Sequence, residues 1–316
     1  MQKIDAHSHV GYFGGWADVG YTDEQMVAEM DQYGIEKSVV SYMDNTVVEQ
    51  AVKRFPDRFV GITWANPYEG DKAVETVVRE VREHGFQGIK LHPLLNAFTA
   101  NDAVVHPLME VAQQMDLPVF IHSGHPPFSL PHSIIQLAED FPKVRIVMVH
   151  MGHGNGIYIQ AAIDLSKKHD NVYLETSGMP MHTKIREAYN TVGSERVFWG
   201  SDAPFHHYRV EMLRTEVCGL PESALENIFY RNIKRFLALE SELQRRKAPH
   251  GGAFCHLEEK ISRSANAVKM QAVIRLRMIC PLMEALNHSA SLPPRNETPP
   301  KTTSVASWKR RPRVTI

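Results

Sequence analysis

The chain has 316 residues, 43% hydrophobic and 22% charged, a balance that suits a soluble globular protein of one or two domains with a sizeable core. No apolar run approaches the ~20 residues of a membrane span, and the N-terminus shows no signal-peptide apolar region; with only three cysteines (Cys218, Cys255, Cys280), at no metal-like or disulfide-framework spacing, a cytoplasmic location is expected. The net charge of −1 conceals a division, since residues 241–316 carry 14 basic against 5 acidic side chains and residues 1–240 carry 21 against 31, and so acidic a body gives no reason to expect nucleic-acid binding.

Residues 1–240 alternate short apolar runs with amphipathic helical patterns. Ile4–Val10 reads as a strand, and a Gly-rich loop (Gly11, Gly14, Gly15, Gly20) follows it. Thr22 with Gln25 three residues on is a capping box, and Gly34 is a C-terminal stop, so a helix is predicted between them. Strands are then predicted at 37–42, 59–65, 88–92, 118–122, 144–150, 172–176 and 197–202. Between them, Val74, Val77, Val78 and Val81 recur at helical spacing, as do segments across Leu108–Met115, His132–Asp140 and Ile157–Lys168. A last helical pattern runs from Pro221 to Leu239. Eight strands, each followed by a helix, in about 240 residues predict an α/β fold of the (β/α)8 TIM-barrel type. A doubly wound open sheet is the second choice, but the turn after the first strand lacks phosphate-loop glycine spacing.

Residues 241–316 break the pattern. Pro293-Pro294, Pro299-Pro300 and Pro312, set among Ser, Thr, Lys and Arg, predict a basic, disordered tail, although Ala267–Leu286 is apolar enough for a helix. The tail reads as an interaction segment or as a non-native extension. The second is favoured because the barrel is complete by Leu239.

Function in such barrels sits at the strand C-terminal ends. There the sequence places His7, His9, Lys90, His92, His122, His150 and Asp202. Side chains alternate faces along a strand, so His7 and His9 share one. Lys90 shares a face with His92, Phe120 with His122, Met148 with His150, and Phe198 with Asp202, and all are expected to face the barrel axis. A single histidine at a strand end is more often a hydrogen-bonded structural group than a ligand. The matched positions together are what argue for a site, because imidazoles plus a carboxylate suit a divalent ion with room for water.

The segments Asp5-Ala6-His7-Ser8-His9, Gly88-Ile89-Lys90-Leu91-His92-Pro93, Phe120-Ile121-His122-Ser123-Gly124-His125, Val149-His150-Met151-Gly152-His153 and Trp199-Gly200-Ser201-Asp202-Ala203-Pro204 stand in the order of one family. The chain resembles the amidohydrolase superfamily, in particular the amidohydrolase-related (amidohydrolase 2) family of metal-dependent hydrolases and nonoxidative decarboxylases. The resemblance covers residues 1–240. It implies one divalent metal, usually zinc, with His7, His9, His122 and Asp202 as ligands and Asp202 also as general base. It places His150 in the site, on the metal or orienting water and substrate. Mn²⁺, Fe²⁺ and Co²⁺ suit the same donors. The single-metal form leaves Lys90 to bind a substrate carboxylate or pair with an acid. His92, His125 and His153 are further substrate-pocket candidates. His206 and His207 are weighed evenly between pocket and solvated loop, and His84, His106, His132 and His169 read as ordinary surface residues.

The leading expectation is a metal-dependent hydrolase that opens an amide, lactone or ester of a small polar substrate with a metal-activated water. The alternative is a nonoxidative decarboxylase of an aromatic or unsaturated acid. Tyr12, Phe13, Trp16 and Trp64 would flank the planar substrate and Lys90 would meet its carboxylate, while the lack of an arginine at a strand end counts slightly against it. A metal-binding barrel without turnover is a distant third. A small-molecule substrate is the expected partner. A homo-oligomer is left open.

Overall fold

The computed structural model describes residues 1–15 and 17–239; Trp16 and the tail expectations lie outside the described residues. In chain order come β1 (Lys3–His9), a hairpin of β2 (Gly11–Phe13) and β3 (Val19–Tyr21), α1 (Asp23–Tyr33), β4 (Ile35–Ser41), α2 (Asn45–Arg54), β5 (Phe59–Gly61) and β6 (Thr63–Trp64). Then come α3 (Asp71–His84), β7 (Ile89–Leu91), α4 (Pro93–Asn96), α5 (His106–Gln114), β8 (Val119–His122), α6 (Pro131–Asp140), β9 (Ile146–Val149) and α7 (Gly156–Ser166). The described part ends with β10 (Val172–Glu175), α8 (His182–Val192), β11 (Val197–Phe198), α9 (Tyr208–Glu216), α10 (Glu222–Glu226) and α11 (Asn232–Phe236).

The strands pair in parallel as β1-β4-β5 and as β6-β7-β8-β9-β10-β11. The third barrel strand is not one piece, as expected, but two. The N–H of Ile62 donates to Val40 O at 3.0 Å, whereas the N–H of Thr63 donates to Gly88 O at 2.9 Å, so the chain passes from one neighbour to the other at this point. The ring closes between first and last strands. Ala6 N–H donates to Trp199 O at 3.0 Å, Asp202 N–H to His7 O at 2.8 Å and His9 N–H to Ala203 O at 2.7 Å. The result is a closed TIM barrel of eight parallel strands, as the sequence predicts.

Two apolar layers hold it. Ile89, Leu91, Ile121, Met148 and Leu174 face the helices. Ile4, Ala6, Phe120, Val147, Val149 and Phe198 fill the interior, where Phe236 and Leu237, at the end of α11, close the floor. Strands covered on both faces are apolar on both parities. The first helix starts and stops where the sequence says. Thr22 Oγ1 accepts from Gln25 N–H at 3.2 Å, Gln25 Oε1 accepts from Thr22 N–H at 2.9 Å, and Gly34 at φ 65° ends α1. The Gly-rich loop is a hairpin instead, and the Pro221–Leu239 helix is α10 and α11 joined by a π-type turn at Asn227–Arg231.

Candidate metal and catalytic site

His7 and His9 owe their direction to a bulge. β1 runs from Asp5 to Ser8 while β4 advances only from Ser38 to Val40, so β1 holds one residue more. Below it, Ile4 and Ala6 point into the core; above it, His7 and His9 take that place. Unbroken alternation from Ala6 would have sent Ser8 inward and both imidazoles outward.

Strand six corrects the parity reading in another way. Met148 faces the helices and Val149 the interior. His150 reaches the barrel mouth because the strand ends at Val149 and the chain turns, with φ 67° at His150 and 35° at Met151. A positive φ at two successive non-glycine residues is strained backbone, held by its surroundings. Glu175 supplies the hold: its Oε2 accepts His150 N–H at 3.1 Å and Ser177 Oγ–H at 2.7 Å, and its Oε1 accepts Ser177 N–H at 2.5 Å. Ser177 O and Oγ each lie 3.0 Å from His150 Nδ1. Burial pushes the Glu175 carboxyl up to about 8. Glu175 is absent from the sequence prediction, although its position at the end of strand seven, in phase with the inward Tyr173, was there to be read. Gly200 makes room for it, since a Cβ there would lie 2.4 Å from Glu175 Oε1.

One donor atom each from His7, His9 and Asp202 lies within 4.8 Å of the others. His7 Nε2 is 3.3 Å and His9 Nε2 3.2 Å from Asp202 Oδ1. His9 Nδ1 lies 3.0 Å from Ser41 O, which makes Nδ1 the donor and turns the Nε2 lone pair to the aspartate. Both nitrogens of the buried His7 ring lack a hydrogen-bond partner. Burial, with the Lys90 ammonium next, drives His7 well below its ordinary value, so the ring is neutral. Asp202 is also buried, but the adjacent imidazoles, His150 first and then His7 and His9, outweigh that and hold its carboxyl well below the usual range. Two imidazole lone pairs and a carboxylate oxygen converging without a proton between them are a donor set for a divalent cation.

Above the triad opens a cavity of about 380 Å³, lined by His9, Phe13, Trp64, His92, Leu94, Leu95, His122, His125, His150, His153, Asp202, Phe205 and His206. His122 is at the cavity but not in the triad; its Nε2 lies 2.8 Å from His125 Nδ1, so service as a ligand requires that contact to break. His92 stacks between Trp64 and His122, with centroids 5.3 and 4.0 Å away, and its Nδ1 accepts Leu95 N–H. His125 and His153 stand 4.6 Å apart, and burial takes His153 down to about 4. His206 lines the wall with Nδ1 3.2 Å from Glu211 Oε1, whereas His207 caps α9. Lys90 is in phase as expected but not on the cavity wall. It is fully buried, its Nζ lacks a hydrogen-bond partner, and burial lowers it to about 8 against the pull of Asp202 and Glu175. Of the aromatic candidates, Phe13 and Trp64 line the cavity and Tyr12 is exposed. Phe205, in the loop after β11, is an added wall that strand periodicity does not reveal.

The amidohydrolase family pattern matches residues 4–239. The chain belongs to the amidohydrolase family. It is 24% identical over 220 residues to a gamma-resorcylate decarboxylase from Rhodococcus jostii, spanning 52% of this chain and 65% of that one. Among solved structures, the barrel matches a 2,6-dihydroxybenzoate decarboxylase complexed with 2,6-dihydroxybenzoate at TM-score 0.63 and 18% identity, covering 75% of this chain and all of the other. It matches a dihydroxybenzoic acid decarboxylase from Polaromonas, with bound manganese and 2-nitroresorcinol, at TM-score 0.59 and 19% identity, over 76% and 98% of the two chains. These relatives overturn the expectation of a hydrolase, because they are named for decarboxylation. The same ligand types serve either chemistry, which is why the sequence did not separate them. Zinc finds no specific support either, the ion named with the Polaromonas structure being manganese. Among the described residues no helix is long and apolar enough to cross a membrane.

Proposed function

We propose that this amidohydrolase-family barrel is a metal-dependent nonoxidative decarboxylase of a small aromatic carboxylic acid. The observation that carries it is the cavity itself. Aromatic walls (Phe13, Trp64, Phe205) stand over a floor of imidazoles and one ionised aspartate, in a chain whose relatives are decarboxylases of hydroxylated benzoates. The aromatic walls would hold a planar ring by stacking, and Leu94 and Leu95 add apolar lining.

His7, His9 and Asp202 would hold a divalent ion such as Mn²⁺ or Zn²⁺, and His122 would add a fourth donor once turned from His125. When bound, the ion supplies positive charge that anchors the acid's oxygen atoms and accepts developing negative charge. The reaction exchanges carbon dioxide for a proton. The carbon–carbon electron pair stays on the ring carbon, and that carbon takes a proton. Asp202, ionised at rest, would act first as base and then as acid: it takes a proton from water as the acid binds and passes that proton to the ring carbon. His150, with Nδ1 tied to Ser177, presents Nε2 to the reacting centre as a positioned hydrogen-bonding partner. Lys90 acts from below through its charge, partly balancing Asp202.

The test is carbon dioxide release from 2,6-dihydroxybenzoate, 5-carboxyvanillate and related hydroxybenzoates with Mn²⁺-loaded protein. One equivalent of carbon dioxide per product is expected, and reaction in D₂O should place one deuterium at the vacated carbon. No carbon dioxide from any of these acids, with the metal shown to be bound, overturns the proposal.

A further inference from the structure

A second group of donors lies away from the barrel mouth, between α2 and α3. Glu80 and His84 are four residues apart on α3 and so share a face. Glu49 meets them from α2. One donor atom of each lies within 4.8 Å of the other two, and His84 Nε2 is 3.6 Å from Glu49 Oε2. The sequence reads His84 as an ordinary surface residue; the fold sets it against two carboxylates.

Glu80 is fully buried. Its Oε1 is taken by the Arg79 guanidinium, but its Oε2, sealed from solvent, has no hydrogen-bond partner. Burial and the facing Glu80 also push the Glu49 carboxyl above its ordinary value. Arg79 lies 3.8 Å from Glu49 and contacts Glu80, so one partly exposed guanidinium serves two carboxylates. An unpaired carboxylate oxygen in the interior calls for a proton or a cation.

We propose that Glu49, Glu80 and His84 form a second divalent-cation site, separate from the His7, His9 and Asp202 centre. Two carboxylate oxygens and one imidazole nitrogen suit a first-row ion of the Mn²⁺ or Zn²⁺ kind, with water completing the shell. The site pins α2 to α3 on the outside of the barrel. It does not depend on the reaction catalysed at the mouth.

The experiment is a Mn²⁺ titration of the chelator-treated full chain, with free ion read by electron paramagnetic resonance. The parent is compared with His84→Ala and Glu49→Gln, neither of which alters a core side chain. Each variant is expected to hold one ion per chain fewer than the parent, or to hold that ion at least about tenfold more weakly, the lower bound for loss of even an indirect metal partner. Circular dichroism of both variants should match the parent. If both folded variants bind the same number of ions as the parent with the same affinities, a shared proton satisfies the two carboxylates and the proposal fails.

Discussion

Lys90 is an ammonium sealed inside the barrel, and its protonation has a measurable signature. Its folded value is lowered to about 8 from 10.5. Below pH 8 it is charged in both states. Between about 8 and 10.5 the unfolded chain holds a proton there that the folded chain does not, so stability rises with pH through that window, by about 1.4 kcal/mol per unit at most. Denaturation of the parent and of Lys90→Met at pH 7, 9 and 10 should show the difference moving in the parent's favour as pH rises; a constant difference would place the ammonium in a better-solvated setting. Asp202 carries a different expectation. Asp202→Asn keeps the shape but removes the titrating carboxylate, so turnover should fall by about 10²–10⁴-fold while part of the bound metal remains. Unchanged turnover would assign the proton to another group.

At the scale of elements, what was legible depended on whether the signal was local. Thr22, Gln25 and Gly34 act on backbone within a few residues, so α1 could be read directly, and Thr22→Ala should cost about 1 kcal/mol in a denaturation curve. The strand-end histidines were legible as residues near a common centre. The routes that bring them there were not. His7 and His9 depend on an extra residue in β1, and His150 on a left-handed corner held by Glu175, and both are set by contacts far away in sequence. A carboxylate in a buried strand looks anomalous from sequence alone, and the donors that satisfy Glu175, Ser177 and the His150 amide, are brought to it only by the fold. Its fit depends on Gly200. Gly200→Ala should destabilise by about 1–3 kcal/mol, since the new methyl meets a carboxylate oxygen and the His7 backbone. Stability equal to the parent would mean that the strand ends can shift apart.

For the whole molecule, the periodic alternation of strand and helix was enough to predict a closed barrel, because that period reflects burial on both faces of every strand. The chemistry was not settled at that scale. Two of the aromatic walls, Phe13 and Phe205, come from a hairpin and a loop, and their positions follow from no repeat.

The seam between β1 and the segment after β11 has a consequence for assembly. His7 and His9 belong to the first strand and Asp202 to the segment that follows the last, and their own backbones are stitched together there. A nascent chain therefore displays two of the three donors from the outset yet has no cage for an ion until synthesis has nearly passed the entire ring. An ion held there acts as a clasp on that join, contributing about 4 kcal/mol when present at a thousand times its dissociation constant. Stripping it with a chelator should speed hydrogen–deuterium exchange of the Ala6, His9 and Asp202 amides before it affects those joining β8 to β9. Uniform loosening around the circumference would mean that closure owes nothing to the ion.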